Sequence, residues 1–312
     1  MEFKPSENTT LYGMDFFFHS IIKLYNEKRM PNKILLSGKK GIGKSTLAYH
    51  LSNYILSQNE EFSYDLDSFT INHKNRSFKL LQNSSHSNFY LIDILNDKKN
   101  IDISQVREMI SYTNRSTFNN RPRIILIDNL ENLNINSVNA LLKIIEEPNE
   151  NIFFFLINNN EKKILPTLKS RCLEFKINFS FEETINITNN LLKIDVLKIV
   201  NNELINYYSS AGNIINLINF SYKKKIDLKD YDLIYFLKLI INNNYYKKNK
   251  PLKALLIDFI ELFFLIKYKS TKSKTSFLNF YFKFMNKIHE TEKFNLDDET
   301  LFLEFKSRLL NG

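Results

Sequence analysis

Eight consecutive residues, Gly38-Lys39-Lys40-Gly41-Ile42-Gly43-Lys44-Ser45, have the types and spacing needed to hold a polyphosphate. They match G-x-x-x-x-G-K-[ST], the phosphate-binding P-loop. In that motif glycines let backbone N–H groups turn inward around the phosphates, and the following helix adds a partial positive charge at its N-terminus. Lys44 is placed to neutralise the β/γ-phosphates, and the Ser45 hydroxyl to ligate Mg2+, with Thr46 beside them in the nucleotide-binding set. A second candidate lies in Ile124-Ile125-Leu126-Ile127-Asp128, an apolar strand ending in an acid. It reads as a Walker B strand whose Asp128 holds Mg2+ through water. An Asp closing a buried strand is common; paired with a full P-loop upstream it is specific.

The residue after Asp128 decides the chemistry. A hydrolytic site of this type wants a Glu there to polarise the attacking water, and here it is Asn129. An amide cannot accept the proton, and losing a general base costs roughly 10²–10⁴-fold. Glu131, two residues further on, is expected to point elsewhere, so weak or absent hydrolysis is the expectation. Asn158 ends an apolar run, where a plain capping role is open to it.

The elements that must position these groups alternate along the first part of the chain. Helical patterns cover Phe16 to Lys28, Thr46 to Leu56, Ser104 to Thr113 (with Ser104 as N-cap) and Ile135 to Glu146. Strands cover Ile34 to Ser37, Phe89 to Ile94, Arg123 to Asp128, Ile152 to Asn158 and Leu173 to Ile177. That alternation predicts an α/β P-loop core with a largely parallel sheet. From about 179 the strands stop. Helices are expected over Phe181 to Lys193, Val196 to Ser209, Asn213 to Lys223, Tyr231 to Asn242, Leu252 to Tyr268, Ser276 to Thr291 and Asp297 to Leu309. Asn59 to Ser87 is polar and irregular, and reads as a surface insertion.

Composition narrows the class. The chain's 312 residues, 43% hydrophobic, suffice for two or three domains. A single Cys, Cys172, excludes an internal disulfide framework and an all-Cys zinc site, and fits a reducing, cytoplasmic setting. The start of the chain shows no charged-then-apolar signal pattern, and no stretch reads as membrane-spanning. The net charge of +9 suggests a polyanion partner, but a chain crowded with Lys, Asn, Ile, Phe and Tyr is what AT-rich coding yields, so the charge is discounted. The few arginines, Arg171 among them, resisted that bias and carry more information than any single Lys.

Three further stretches carry a resemblance: Asn139-Ala140-Leu141-Leu142-Lys143-Ile144-Ile145-Glu146-Glu147-Pro148, then Ile152 to Asn158, then Leu165-Pro166-Thr167-Leu168-Lys169-Ser170-Arg171-Cys172. The chain closely resembles the bacterial clamp-loader subunits of the AAA+ class, and within them the delta-prime branch of DNA polymerase III, over about residues 10 to 178. The C-terminal half matches only in length and helical character.

That resemblance implies an AAA+ core over 1–178, a helical lid over 179–225 and an all-α collar for oligomerisation over 226–312. It implies ATP with Mg2+, held with little or no turnover, on Gly38, Gly41, Gly43, Lys44, Ser45, Thr46, Asp128 and Asn158, with Ser45 and Asp128 on the metal. It implies that Arg171 reaches in trans the γ-phosphate bound by a neighbouring subunit, a role worth roughly 10³–10⁵ in rate. The competing reading is an Arg paired with a local carboxylate. The implied partners are gamma/tau-type motor subunits, a delta-type subunit, the sliding clamp and primed DNA; no membrane is implied. Many family members carry a four-Cys zinc module where this chain has the Asn59 to Ser87 insertion, so no zinc is expected. Ala211-Gly212-Asn213 lacks the lid arginine of motor subunits. Cys172 reads as a small buried hydrophobe. Two alternatives stand beside this reading: a gamma/tau-like motor that hydrolyses ATP itself, which Asn129 opposes, and a P-loop kinase of small molecules, which leaves the Glu-Glu-Pro and Ser-Arg-Cys elements unexplained.

Overall fold

A computed structural model describes residues 3–95, 98–115, 121–146, 151–205, 209–247, 249–270, 274–294 and 296–310. Five strands, β1 (Lys33–Ser37), β2 (Phe89–Ile92), β3 (Arg123–Ile127), β4 (Ile152–Asn158) and β5 (Leu173–Lys176), form one parallel sheet in the order β2-β3-β4-β1-β5. Parallel sheets are buried on both faces, so their strands read as continuous apolar runs. Alternate side chains then divide between two cores. Ile34, Leu36, Ile124, Leu126, Phe155 and Ile157 pack with α1 (Asp15–Asn26) and α2 (Lys44–Leu56), through Phe18, Ile21, Leu47 and Leu51. Leu35, Ile125, Ile127, Phe154 and Leu156 pack on the other face with α4 (Ile103–Thr113) and α5 (Ile135–Glu146), through Val106, Met109, Leu141 and Ile145.

Two local expectations for this part need correction. Ser104 is not the cap of α4. Asp102 is, in a capping box with Gln105, whose side chain accepts from the Asp102 amide at 3.1 Å. A carboxylate and an amide three residues apart satisfy two orphan N–H groups, more than a lone hydroxyl does. The Asn59 to Ser87 stretch is not a mere surface insertion. It contains α3 (Arg76–Gln82), capped by Asn75, and buries Tyr64, Ile71, Phe78 and Leu81 in the first core. The short α6 (Pro166–Lys169) precedes β5, and α7 (Phe181–Leu192) follows it.

The chain divides into two units at Ile187/Thr188, within α7. The second unit is helical among its described residues: α8 (Val196–Ile199), α9 (Ala211–Lys224), α10 (Leu233–Asn242), α11 (Lys250–Ser270), α12 (Lys274–Phe294) and α13 (Asp298–Phe305). The long helix expected from Val196 to Ser209 is only four residues, with an irregular turn after it; residues 206–208 lie outside the described part. Caps mark several starts: Ser210 accepts from Asn213, Asp232 from Tyr235, and Asp297 from Glu299 and Thr300. The interior is aromatic, with Phe236, Phe259, Phe264, Phe302 and Phe305 buried. No described helix is long and apolar enough to cross a membrane. The division of the chain into core, lid and collar at 178/179 and 225/226 is a proposal.

Candidate functional site

The loop after β1 is shaped by its glycines. The Gly38 amide donates to the Asn158 carbonyl at 3.2 Å, and a Cβ on Gly38 would stand 2.3 Å from the Ile177 carbonyl oxygen. Only glycine fits there. Gly43 has φ +99°, a left-handed conformation open to glycine, and caps α2. The unpaired N–H groups of the first turn of α2 therefore open onto the loop.

Lys44 is 3% exposed, and its ammonium donates to the Gly38 and Lys39 carbonyls at 2.8 and 2.7 Å. Burial pushes it down to about 8, against the pull of Asp128, Glu131 and Glu161. The Ser45 hydroxyl donates to the Asp128 carboxylate. Burial raises the Asp128 carboxyl above its ordinary range; the Ser45 bond opposes this and the Asp93 charge adds to it. A buried carboxylate bonded to a hydroxyl, beside a buried ammonium and a ring of backbone amides, is a donor set that fits Mg2+ and a triphosphate. Thr46 lies at the start of α2, its hydroxyl 3.5 Å from the Asn8 amide nitrogen. Gly41, at φ +79°, completes the loop.

Sequence reasoning missed the network beyond Asp128. Asn129 is left-handed, φ +54°, and both ends of its amide are held: the nitrogen donates to Asp93 at 2.6 Å, and the oxygen accepts from the Asn159 side chain at 2.9 Å. The Asn159 backbone N–H lies 3.1 and 3.2 Å from the two Glu131 carboxylate oxygens. Glu131 is thus buried and within electrostatic reach of Lys44, but its oxygens are engaged with the Asn159 amide. The Asn158 side chain is not drawn in. It donates to the Asn160 side chain at 2.8 Å and accepts from the Asn160 amide at 3.1 Å, local bonds of the kind a cap makes. The sequence signal for Asp93 was its place just after β2, next to β3 in the sheet, visible only once the strand order is known.

Arg171 lies elsewhere. β5 runs parallel to β1 with Ile34 beside Leu173 and Ser37 beside Lys176. Arg171 precedes β5, whereas the loop leaves the far end of β1. At about 3.3 Å per residue the two edges are roughly 13 Å apart. Its guanidinium donates to the Thr167 carbonyl at 2.8 Å and meets Glu146 at 2.8 Å. A local carboxylate partner, one of the two readings of this residue, is therefore present. Glu147 and Pro148 of the signature lie outside the described residues. Burial pushes the Cys172 thiol up to about 11, and it donates to the Leu168 carbonyl; it behaves as a small hydrophobe. In α9, Asn213, of the Ala211-Gly212-Asn213 stretch that lacks a lid arginine, donates to Asp258 at 2.9 Å.

A parallel sheet of this order, with the glycine-rich loop after β1 and, after β3, an acid bonded to that loop's serine, defines a P-loop NTPase core of the AAA+ type. Within that class the particular family is set by comparison. The family described as DNA polymerase III, delta subunit, matches residues 15–180, and the chain belongs to it. DNA polymerase III subunit delta' of Buchnera aphidicola subsp. Schizaphis graminum is 28% identical over 87% of this chain and 84% of its own. The protein of that name from Pseudomonas aeruginosa is 29% identical over 45% of this chain and 41% of its own. DNA polymerase III subunit gamma of the same Buchnera strain is 28% identical over 73% of this chain and 63% of its own. The chain thus spans most of the first relative and under two thirds of the other two.

Proposed function

We propose that the chain is the non-motor, delta-prime-like member of a clamp loader, acting in loading a sliding clamp onto primed DNA. Its partners in this reading are gamma/tau-type motor subunits, a delta-type subunit, the clamp and DNA, in the cytoplasm. It donates Arg171 to ATP held by a neighbouring subunit. The observation that carries this reading is position: Arg171 stands at the sheet edge opposite its own phosphate loop, with its side chain 37% exposed. A guanidinium set at the opposite end of the strands from the home site serves a second molecule better than its own. Such a fixed positive charge stabilises the charge that spreads over the γ-phosphate during transfer.

Its own loop holds nucleotide on Gly38, Gly41, Gly43 and Lys44, with Ser45 and Asp128 toward the metal; the bound Mg2+ would supply charge neutralisation of the phosphates. Asn129, fixed by Asp93 and Asn159, offers no base for water, so home-site turnover is slow or nil. The motor reading keeps one observation in its favour, the intact loop with Ser45 on Asp128.

Reconstitution with the cognate subunits separates the two. DNA-stimulated ATP turnover with Arg171→Ala is expected to fall well over tenfold with assembly intact, while Lys44→Ala changes little. The reverse pattern makes this chain a motor.

A further inference from the structure

Arg171 is held at two points by two different elements. Nη1 donates to the Thr167 carbonyl of α6, and Nη2 meets Oε1 of Glu146, the last residue of α5, each at 2.8 Å. A guanidinium carries five N–H donors in a planar fork. These two bonds use two of them, fix the plane of the group and leave three donors for a ligand. The end of α5 suits the purpose, because the C-terminus of a helix favours cations. A second cation sits there too: Lys33 Nζ donates to the Ile145 carbonyl at 2.9 Å, which ties the end of α5 to the start of β1. The carboxylate that holds Arg171 is therefore anchored to the sheet.

We propose that Glu146 is the positioning residue of the arginine finger, selecting one side-chain arrangement from the many an unheld Arg would sample. The proposal rests on reading Arg171 as a finger. Glu146 touches no nucleotide of its own; its effect passes through Arg171. The pair is half-exposed, so its contribution is modest. An ion pair of this kind changes the population of one arrangement by up to about fivefold.

The test is DNA-stimulated turnover in the reconstituted complex with Glu146→Ala, Glu146→Gln, Arg171→Ala and the Glu146→Ala/Arg171→Ala pair, with assembly followed by gel filtration. Glu146→Ala is expected to lower kcat about three- to fivefold with the KM for ATP unchanged. Glu146→Gln, which keeps an acceptor oxygen without its charge, should fall between. The double variant should match Arg171→Ala alone, since a positioning residue has nothing left to position. A loss that adds to that of Arg171→Ala marks a general structural effect and overturns the proposal, as does unchanged or faster turnover in Glu146→Ala. If Arg171→Ala itself leaves turnover intact, the finger reading fails first, and that outcome is separate from any result at Glu146.

Discussion

Asn129 shows how a single position is shaped by its neighbours. It occupies the place of a catalytic carboxylate, but the site is not one substitution away from hydrolysis. Its φ of +54° suits Asn and strains Glu. Its amide nitrogen donates to Asp93 and its oxygen accepts from Asn159, so both polar ends are spoken for. Asn129→Glu would discard the donor and set a third carboxylate beside Asp93 and Asp128. We expect this variant to unfold more easily by about 1–3 kcal/mol at neutral pH. Adding Asp93→Asn should recover part of the loss, because it rebuilds a carboxylate–amide pair in the opposite sense. Thermal unfolding of the two variants against the parent checks this. A single variant as stable as the parent would show that the pairing has no energetic weight.

At the scale of elements, α2 is the hub. His50 is fully buried on it, with Nδ1 2.9 Å from the Tyr64 hydroxyl and Nε2 3.1 Å from the Asn8 carbonyl. One ring thereby ties the N-terminal segment, the phosphate-loop helix and the 59–87 stretch. Burial pushes His50 down to about 4, against an unfolded value of about 6.5. With the folded value depressed, the stability it contributes is complete above pH 6.5 and is lost as pH falls through that window toward 4. The full term is on the order of 3 kcal/mol. His50→Gln should flatten the acid limb of stability between pH 6.5 and 4, measured by denaturant unfolding; an unchanged limb would place the acid sensitivity elsewhere. This tie was not legible in the sequence, where the stretch from 59 looked polar, because a few apolar residues at irregular spacing have no periodicity to detect. The strands were legible, since residues such as Ile124 to Ile127 are buried on both faces and leave an uninterrupted apolar run. The loop was legible because its chemistry is local. Asp93 and Asn159 were not, because strand order alone brings them to Asn129.

For the whole molecule, the question left by the sequence is which aromatic side chains of the helical half are core and which are surface. Tyr235 and Leu239 on α10, and Leu256, Phe259 and Phe263 on α11, recur at helical spacing, the pattern of a core face. The fold separates them: Leu256, Phe259 and Phe263 are buried, whereas Tyr235 is 67% exposed and Phe282, on α12, is 58% exposed. Two opposite outcomes follow. Phe259→Ala empties a packed interior and should cost about 3–5 kcal/mol of stability. Phe282→Ser removes a mostly exposed ring whose neighbour is the half-buried Tyr281, and should leave stability within about 0.5 kcal/mol. If the helices from 226 onward form the collar proposed for them, Phe282→Ser should nevertheless weaken assembly with the motor subunits, as solvent-exposed aromatic side chains lend themselves to subunit interfaces. Unfolding curves and gel filtration of the mixed subunits read the two effects separately. A Phe282→Ser chain that is stable and assembles like the parent would remove this face of α12 from the collar; one that is stable but remains apart from its partners would locate the interface on it.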